Sequence, residues 1–356
     1  MVHTTVQDCF WNITLGDPQC NCHGGRELRY NPPVNDEART TTAHAPGKAI
    51  LFGEHAVVYG RPAIAVPISQ VCATATVRSA PLGQGIIMRA TDLQQERALV
   101  RVTDPGDPLY PIAMTVRNVL DWVRVQREPD LTLRVSSTVP MARGLGSGAS
   151  LSTAVVRALA RHLGRDLSSL EVSDLVYQTE VFYHGTPSGI DNTVIAFEQP
   201  VFFVREQPIE VLRVGCPLWL VVGDTGIASP TRVAVGDVRR SWEPDQARYE
   251  AWFEAIAAIV LQARQAIIAG QQHRIGPWMD ENQRILEDIG VSSKELNQLI
   301  DAARRAGASG AKLCGAGRGG NMIALVSEES ADGVAAALRR AGAVSTIVTR
   351  VDSTTD

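Results

Sequence analysis

Lysine is nearly missing from this chain: of 34 basic residues only three are lysine, at positions 48, 294 and 312. A coding preference for arginine accounts for the shortage. Under such a preference, a surviving lysine marks a place where a compact, mobile ammonium does what a planar guanidinium cannot. Excess positive charge is missing too. The formal net charge is −4, which argues against nucleic acid as a partner, because no basic field exists to neutralise phosphates in bulk. No uninterrupted apolar run reaches the ~20 residues that span a bilayer, so no membrane association is expected. The opening MVHTTVQDCFWNITLGD has no basic stretch followed by an apolar core, and no signal peptide is expected. The six cysteines, at 9, 20, 22, 72, 216 and 314, are scattered, which suggests reduced thiols and a cytoplasmic setting. Cys20-Asn21-Cys22-His23 has no second ligand pair at zinc-site spacing, which argues against a metal there.

What is present supports two globular units. The chain has 356 residues and 45% apolar content, enough for two ordinary cores. Residues 1–39 carry no apolar periodicity and contain Pro32-Pro33 and Gly24-Gly25; they read as a disordered or poorly packed tail. From Thr41 the pattern is strand-like, with apolar runs at Ala49–Phe52, Ala56–Tyr59 and Ala63–Ile68 separated by glycines. Helical spacing follows over 111–125, and alternation of Leu131, Leu133 and Val135 predicts a half-buried strand. Ser168-x-x-Glu171 predicts a capping box for a helix reaching His184. A break near Gly215 divides a first domain, 40–214, from a second, 215–356. The second has long helical patterns at 245–270, 276–289 and 293–306, and strands at 218–222, 321–326 and 344–351. The layout is α+β.

Three stretches carry candidate chemistry. The first is VPMARGLGSGAS, Val139 to Ser150, between the predicted strand and a predicted helix. Its G-x-G-x-x-A spelling permits a dinucleotide reading, but the strand before it is amphipathic and ends in a proline. A purely structural turn and a phosphate cradle are the alternatives. Glycines let backbone N–H groups approach an anion, and a helix N-terminus adds a favourable dipole. A second glycine-rich run, Lys312 to Gly320, precedes a strand rather than a helix. Two such loops suit two walls of one polyphosphate site. The second stretch is APGKAILFGEHAVVYG, where Lys48 is placed to stabilise developing charge. The third is TEVFYHGTPSGIDNTV, with Glu180 on a helix and Asp191 after a Gly-Pro turn. One carboxylate can hold Mg²⁺ and the other can take a proton from an attacking hydroxyl. His184 reads as a structural or capping histidine.

Together these stretches resemble the GHMP kinase superfamily, and within it the mevalonate kinase family, over most of residues 41–351. SPTRVAVGDVRR (229–240) and GAKLCGAGRGG (310–320) are similar to that family as well. The resemblance implies a two-domain α+β fold with the active site in the interdomain cleft. It also implies ATP and Mg²⁺ as cofactors, mevalonate as substrate, phosphorylation of its 5-hydroxyl, and a homodimer. Carried over residue by residue, Asp191 and Lys48 are catalytic, and Glu180 with Ser147 holds Mg²⁺. The nucleotide would meet Ser137 and the loop Pro140, Met141, Ala142, Arg143, Gly144, Leu145, Gly146, Ser147, Gly148, Ala149 and Ser150. Glu54, His55 and Thr186 surround the substrate, with the imidazole suited to its carboxylate. Two departures stand out: Gly148 where the family has a second serine, and Arg318 where the third motif has glycine. Arg318 would either contact phosphate or narrow the pocket. Those departures motivate an alternative, a nucleotide-binding regulator with little turnover; a kinase acting on phosphomevalonate is another.

Overall fold

The computed structural model describes residues 39–184 and 187–352. The tail up to residue 38, with Cys9, Cys20 and Cys22, lies outside the described residues, as does Thr186.

The chain opens with β1 (Thr40–Phe52), one 13-residue strand rather than several short ones. It pairs antiparallel with β2 (Ala63–Ser79) along almost its whole length, with irregularities at Pro46/Gly47 and Ile50/Phe52. Lys48 therefore sits between two breaks in register, where a strand bends and re-aims its side chains. The run Ala56–Tyr59, expected as a strand, is a 3₁₀ turn instead. Gly53 (φ 101°) and Gly60 (φ 79°) bracket it in left-handed conformations, which turn four apolar residues out of the sheet.

After β3 (Ile86–Ala90), β4 (Gln95–Ala98), α1 (Tyr110–Val123) and β5 (Leu131–Ser137) come three consecutive helices. These are α2 (Ser147–His162), α3 (Ser169–His184) and α4 (Ile190–Phe197). The capping box forms: Ser168 N donates to Glu171 Oε2 at 2.8 Å, and Glu171 N donates to Ser168 Oγ at 3.3 Å. With β6 (Val201–Phe203) and β7 (Glu210–Val211), the first sheet runs β4-β3-β5-β2-β6-β7, and β1 lies against β2.

The remainder comprises β8 (Leu218–Asp224), α5 (Thr231–Trp242), α6 (Gln246–Ile268), α7 (Gln272–Asp288), α8 (Lys294–Arg305), β9 (Gly310–Cys314), β10 (Asn321–Val326), α9 (Ala331–Arg340) and β11 (Ser345–Val351). Its antiparallel sheet is ordered β11-β8-β10-β9. Helix α6 has the length and composition to cross a membrane. Its Phe253, Ile256, Val260, Ala263 and Ile267, however, are buried in the core.

Strand alternation gives the first sheet two buried faces. Ile50, Ala63, Ala65 and Val201 face a core shared with α1 to α4. Ala49, Leu51, Ile64 and Val66 face a second core that includes Leu220, Phe253, Leu313 and Met322. The second of these cores is thus built from both halves of the chain. The ends of β1, β5, β8 and β9 converge where the glycine-rich loops meet.

Candidate active site

Lys48 leaves β1 just after the bulge, 2% exposed. Its Nζ lies 2.8 Å from Asp191 Oδ1. Asp191 follows the expected Gly-Pro turn and occupies the first turn of α4, a helix that the sequence pattern does not announce; Gly189 (φ 93°) starts it. The carboxylate stays 29% exposed against 3% for the lysine side chain. One partner is therefore anchored in the protein and the other opens to solvent. Burial pushes the Lys48 ammonium down, but the Asp191 carboxylate, with smaller contributions from Cys314 and Glu180, outweighs it and holds the pKa above the ordinary lysine value. Lys48 is charged throughout the neutral range. Glu180, on α3, is 3% exposed.

The first glycine loop is tied to this pair. Lys48 N donates to Leu145 O at 3.0 Å, and Leu145 buries its side chain. Gly146 (φ 74°) caps α2, and a Cβ there would meet Ile195 Cδ1 at 2.8 Å and Lys48 Cγ at 3.0 Å. No side chain fits. Ser147 and Gly148 follow in the first turn of α2, partly exposed, and Ala149 is buried behind them. Gly148 has helical, negative-φ backbone. Ser150 is fully buried; its hydroxyl donates to Pro46 O at 2.6 Å and to Gly146 O at 2.9 Å. That hydroxyl clamps the loop to β1, and it is spent on backbone rather than on a nucleotide. Ser137 closes β5, its N donating to Asp92 Oδ2 at 2.6 Å and its Oγ accepting from Val139 N at 3.1 Å. Pro140 is partly exposed, and Met141 and Ala142 (φ 55°) are exposed at the loop tip.

The second glycine run forms the opposite wall. Gly315 (φ 90°) lies against the Gly144 backbone, and Asn321 Nδ2 donates to Arg143 O at 2.5 Å. Arg143 Nη1 bonds Asp224 Oδ1 at 3.1 Å, and Ser229 N donates to Ala142 O at 3.1 Å. Three loops from both halves are stitched together by backbone contacts. Arg318 takes up a left-handed conformation (φ 59°) and ion-pairs with Asp237 on α5. It ties the second glycine run to α5.

Glu54 and His55 fall inside this wall. Glu54 makes a fully buried ion pair with Lys312 of β9. His55 is 5% exposed and its Nε2 lies 3.0 Å from Ala316 O. Burial pushes the imidazole down to about 4, so the ring is neutral at pH 7 and donates Nε2–H to that carbonyl. With Nε2–H given to that carbonyl, the neutral ring presents Nδ1 as an acceptor. Thr186 lies outside the described residues, as do the side chains of Tyr183 and His184. Sequence reasoning missed the partners Asp224, Asn321 and Asp237. Their signal is purely tertiary. It flagged Lys312 as a scarce lysine but gave it no partner.

The donor set suits a magnesium nucleotide. Among the described residues no cluster of three or more His, Cys, Asp or Glu could cage a metal. Mg²⁺ in kinases takes one or two protein oxygens and completes its shell with phosphates and water. Glu180 and the Ser147 hydroxyl provide oxygens of that kind, and the α2 N-terminus that begins at Ser147 adds backbone N–H groups suited to phosphate.

A cleft lined by glycine loops and centred on a Lys–Asp pair defines a small-molecule phosphotransferase. Residues 113–199 match the GHMP kinases N terminal domain, and residues 263–344 match GHMP kinases C terminal. The mevalonate kinase of Thermococcus sibiricus is 34% identical over 327 residues, covering 87% of this chain and 95% of that protein. That of Pyrococcus furiosus is 34% identical over 318 residues, covering 84% and 93%. The crystal structure of L. major mevalonate kinase in complex with R-mevalonate superposes with a TM-score of 0.77 at 28% identity, covering 90% of this chain and 98% of that one. The chain belongs to the mevalonate kinase family of GHMP kinases.

Proposed function

We propose that this protein transfers the γ-phosphoryl group of ATP to the 5-hydroxyl of mevalonate. The observation that carries the reading is the Lys48–Asp191 pair at 2.8 Å, opening toward the glycine-loop cleft. Asp191 orients the hydroxyl and accepts its proton. The Lys48 ammonium lowers the pKa of the alcohol and stabilises the charge that develops in transfer. A bond forms between the substrate oxygen and the γ-phosphorus as the bond to the β–γ bridging oxygen breaks, and ADP leaves. Phosphoryl transfer asks little else of a protein beyond positioning and charge neutralisation. When bound, Mg²⁺ neutralises the phosphate oxygens; Glu180 and Ser147 would hold it. The backbone N–H groups of residues 144–149 at the α2 N-terminus would hold the phosphates. Intact Lys48, Glu180 and Asp191 weigh against a regulator without turnover, which needs no such set.

The test is ATP turnover on a panel of mevalonate, phosphomevalonate, homoserine and galactose. Preference for mevalonate is the expected result. A preference for phosphomevalonate would move the assignment to the neighbouring kinase.

A further inference from the structure

Of the three lysines, Lys294 is 90% exposed on α8, and Lys48 belongs to the reacting pair. Lys312 is left without a role. Its side chain and that of Glu54 are both completely inaccessible. The ammonium also donates to Leu313 O at 2.7 Å. Glu54 uses Oε1 for the lysine, while Oε2 accepts no hydrogen bond from any other described residue. A buried carboxylate oxygen with no donor is costly, so Glu54 depends on Lys312 for its place in the interior.

The pair lies beside the reacting groups. Glu54 follows β1 by two residues, and Lys48 lies close enough to act electrostatically on its carboxylate. Cys314, two residues beyond Lys312, feels the charges of Glu54, Lys312 and Lys48 together. The lysine comes from the second half of the chain and the glutamate from the first, so the buried pair joins the two halves. Arginine cannot substitute: its five-donor fork is too wide for an enclosed point contact.

We propose that Lys312 is a positioning residue for phosphoryl transfer: its ammonium fixes the Glu54 carboxylate just past β1, and this enclosed pair holds the wall that carries Lys48 and His55 in register with the substrate. The proposal rests on the reading of this cleft as the mevalonate site. The charged and titratable groups that act on Glu54 are Lys312 and Cys314 from β9 and Lys48 from β1. Burial alone pushes Glu54 up, and Lys312 is the largest influence opposing it. Removing the lysine raises the folded-state pKa of Glu54 further. A raised carboxylate pKa favours the folded state at low pH and loses that advantage as pH rises.

Two readouts are taken on Lys312→Met, Glu54→Gln and the double variant. In thermal melts from pH 5 to 8, the Lys312→Met deficit relative to the parent should widen as pH rises, and Glu54→Gln should abolish that slope. In steady-state kinetics, Lys312→Met should raise the KM for mevalonate by about tenfold while leaving the KM for ATP within about twofold. The acid limb of its kcat/KM profile should move up by about one pH unit, and the double variant should show no such limb shift. A folded Lys312→Met with an unchanged mevalonate KM and pH profile overturns the proposal. If Lys312→Met fails to fold, the double variant decides: a raised mevalonate KM matching Glu54→Gln supports the proposal, and a parental KM overturns it. A parent protein inactive on mevalonate would fail the functional reading separately, since the melting slope is read without substrate.

Discussion

At the scale of single residues, the account assigns chemistry to a partly exposed carboxylate and a buried ammonium. Asp191→Asn keeps the shape and removes the proton acceptor, so turnover should fall at least about a hundredfold with nucleotide binding retained. Lys48→Arg should fail to rescue Lys48→Met, because the lysine stem runs against the Gly146 backbone and leaves no room for a planar fork. Purified-variant kinetics with a parallel nucleotide-binding assay check both. His55 gives a pH prediction. Its pKa is depressed from 6.5 to about 4 by burial, so the unfolded chain binds more protons than the folded one across that window. The neutral ring's contribution is complete above about 6.5 and is lost as pH falls toward about 4, at a cost of up to about 3 kcal/mol. Melting temperatures from pH 7 to 4 should fall less steeply for His55→Gln than for the parent. Equal slopes would place the titration elsewhere.

At the scale of elements, the first glycine loop is fixed by backbone conformation on one side and helix geometry on the other. Gly146→Ala combines a left-handed φ with contacts to Ile195 and Lys48; it should cost about 1–3 kcal/mol and disturb the reacting lysine. Gly148 is different. It sits in the helical first turn of α2 with ordinary φ, so Gly148→Ser should fold and turn over, with equal or tighter Mg²⁺ dependence. Glu180→Gln should raise the Mg²⁺ requirement strongly, since a charged oxygen ligand is lost. Mg²⁺ titrations of activity distinguish the two variants, and an unchanged requirement in Glu180→Gln would move the metal to another residue. Much of this was legible in the sequence. Glycine spacing located the loop, and Ser168-x-x-Glu171 located the start of α3. Helix α4 was not legible, because Asp191 and Asn192 follow a Gly-Pro turn and mask its short apolar pattern. The 3₁₀ turn at Ala56–Tyr59 was misjudged as a strand, since four apolar residues look alike in either state until flanking left-handed glycines decide. The Arg318–Asp237 and Lys312–Glu54 pairs join residues 81 and 258 positions apart, and no local pattern announces them.

At the scale of the whole molecule, the two halves are held by a shared interior rather than by a linker. Ala49 and Leu51 of β1 pack into the same core as Phe253 of α6 and Leu313 of β9. Arg61 reinforces the join with Glu250 at 2.5 Å and Glu254 at 2.7 Å. Helix α7 approaches β9 so closely that a Cβ on Gly276 would lie 2.1 Å from Ser309 O. Calorimetry should therefore show one unfolding transition rather than two, because the core of the second half is completed by β1 and β2 of the first. Gly276→Ala should lower that single transition by displacing the strand that carries Lys312 and Cys314. Two separated transitions would mean that the halves fold independently. The central claim is that the cleft between them phosphorylates mevalonate through Lys48 and Asp191. Transfer of labelled γ-phosphate from ATP to R-mevalonate, with the product's position of phosphorylation assigned by NMR, tests it most directly. The account predicts a 5-phosphorylated product from the parent and almost none from Asp191→Asn. No product from the folded parent, or an undiminished rate from Asp191→Asn, would contradict it.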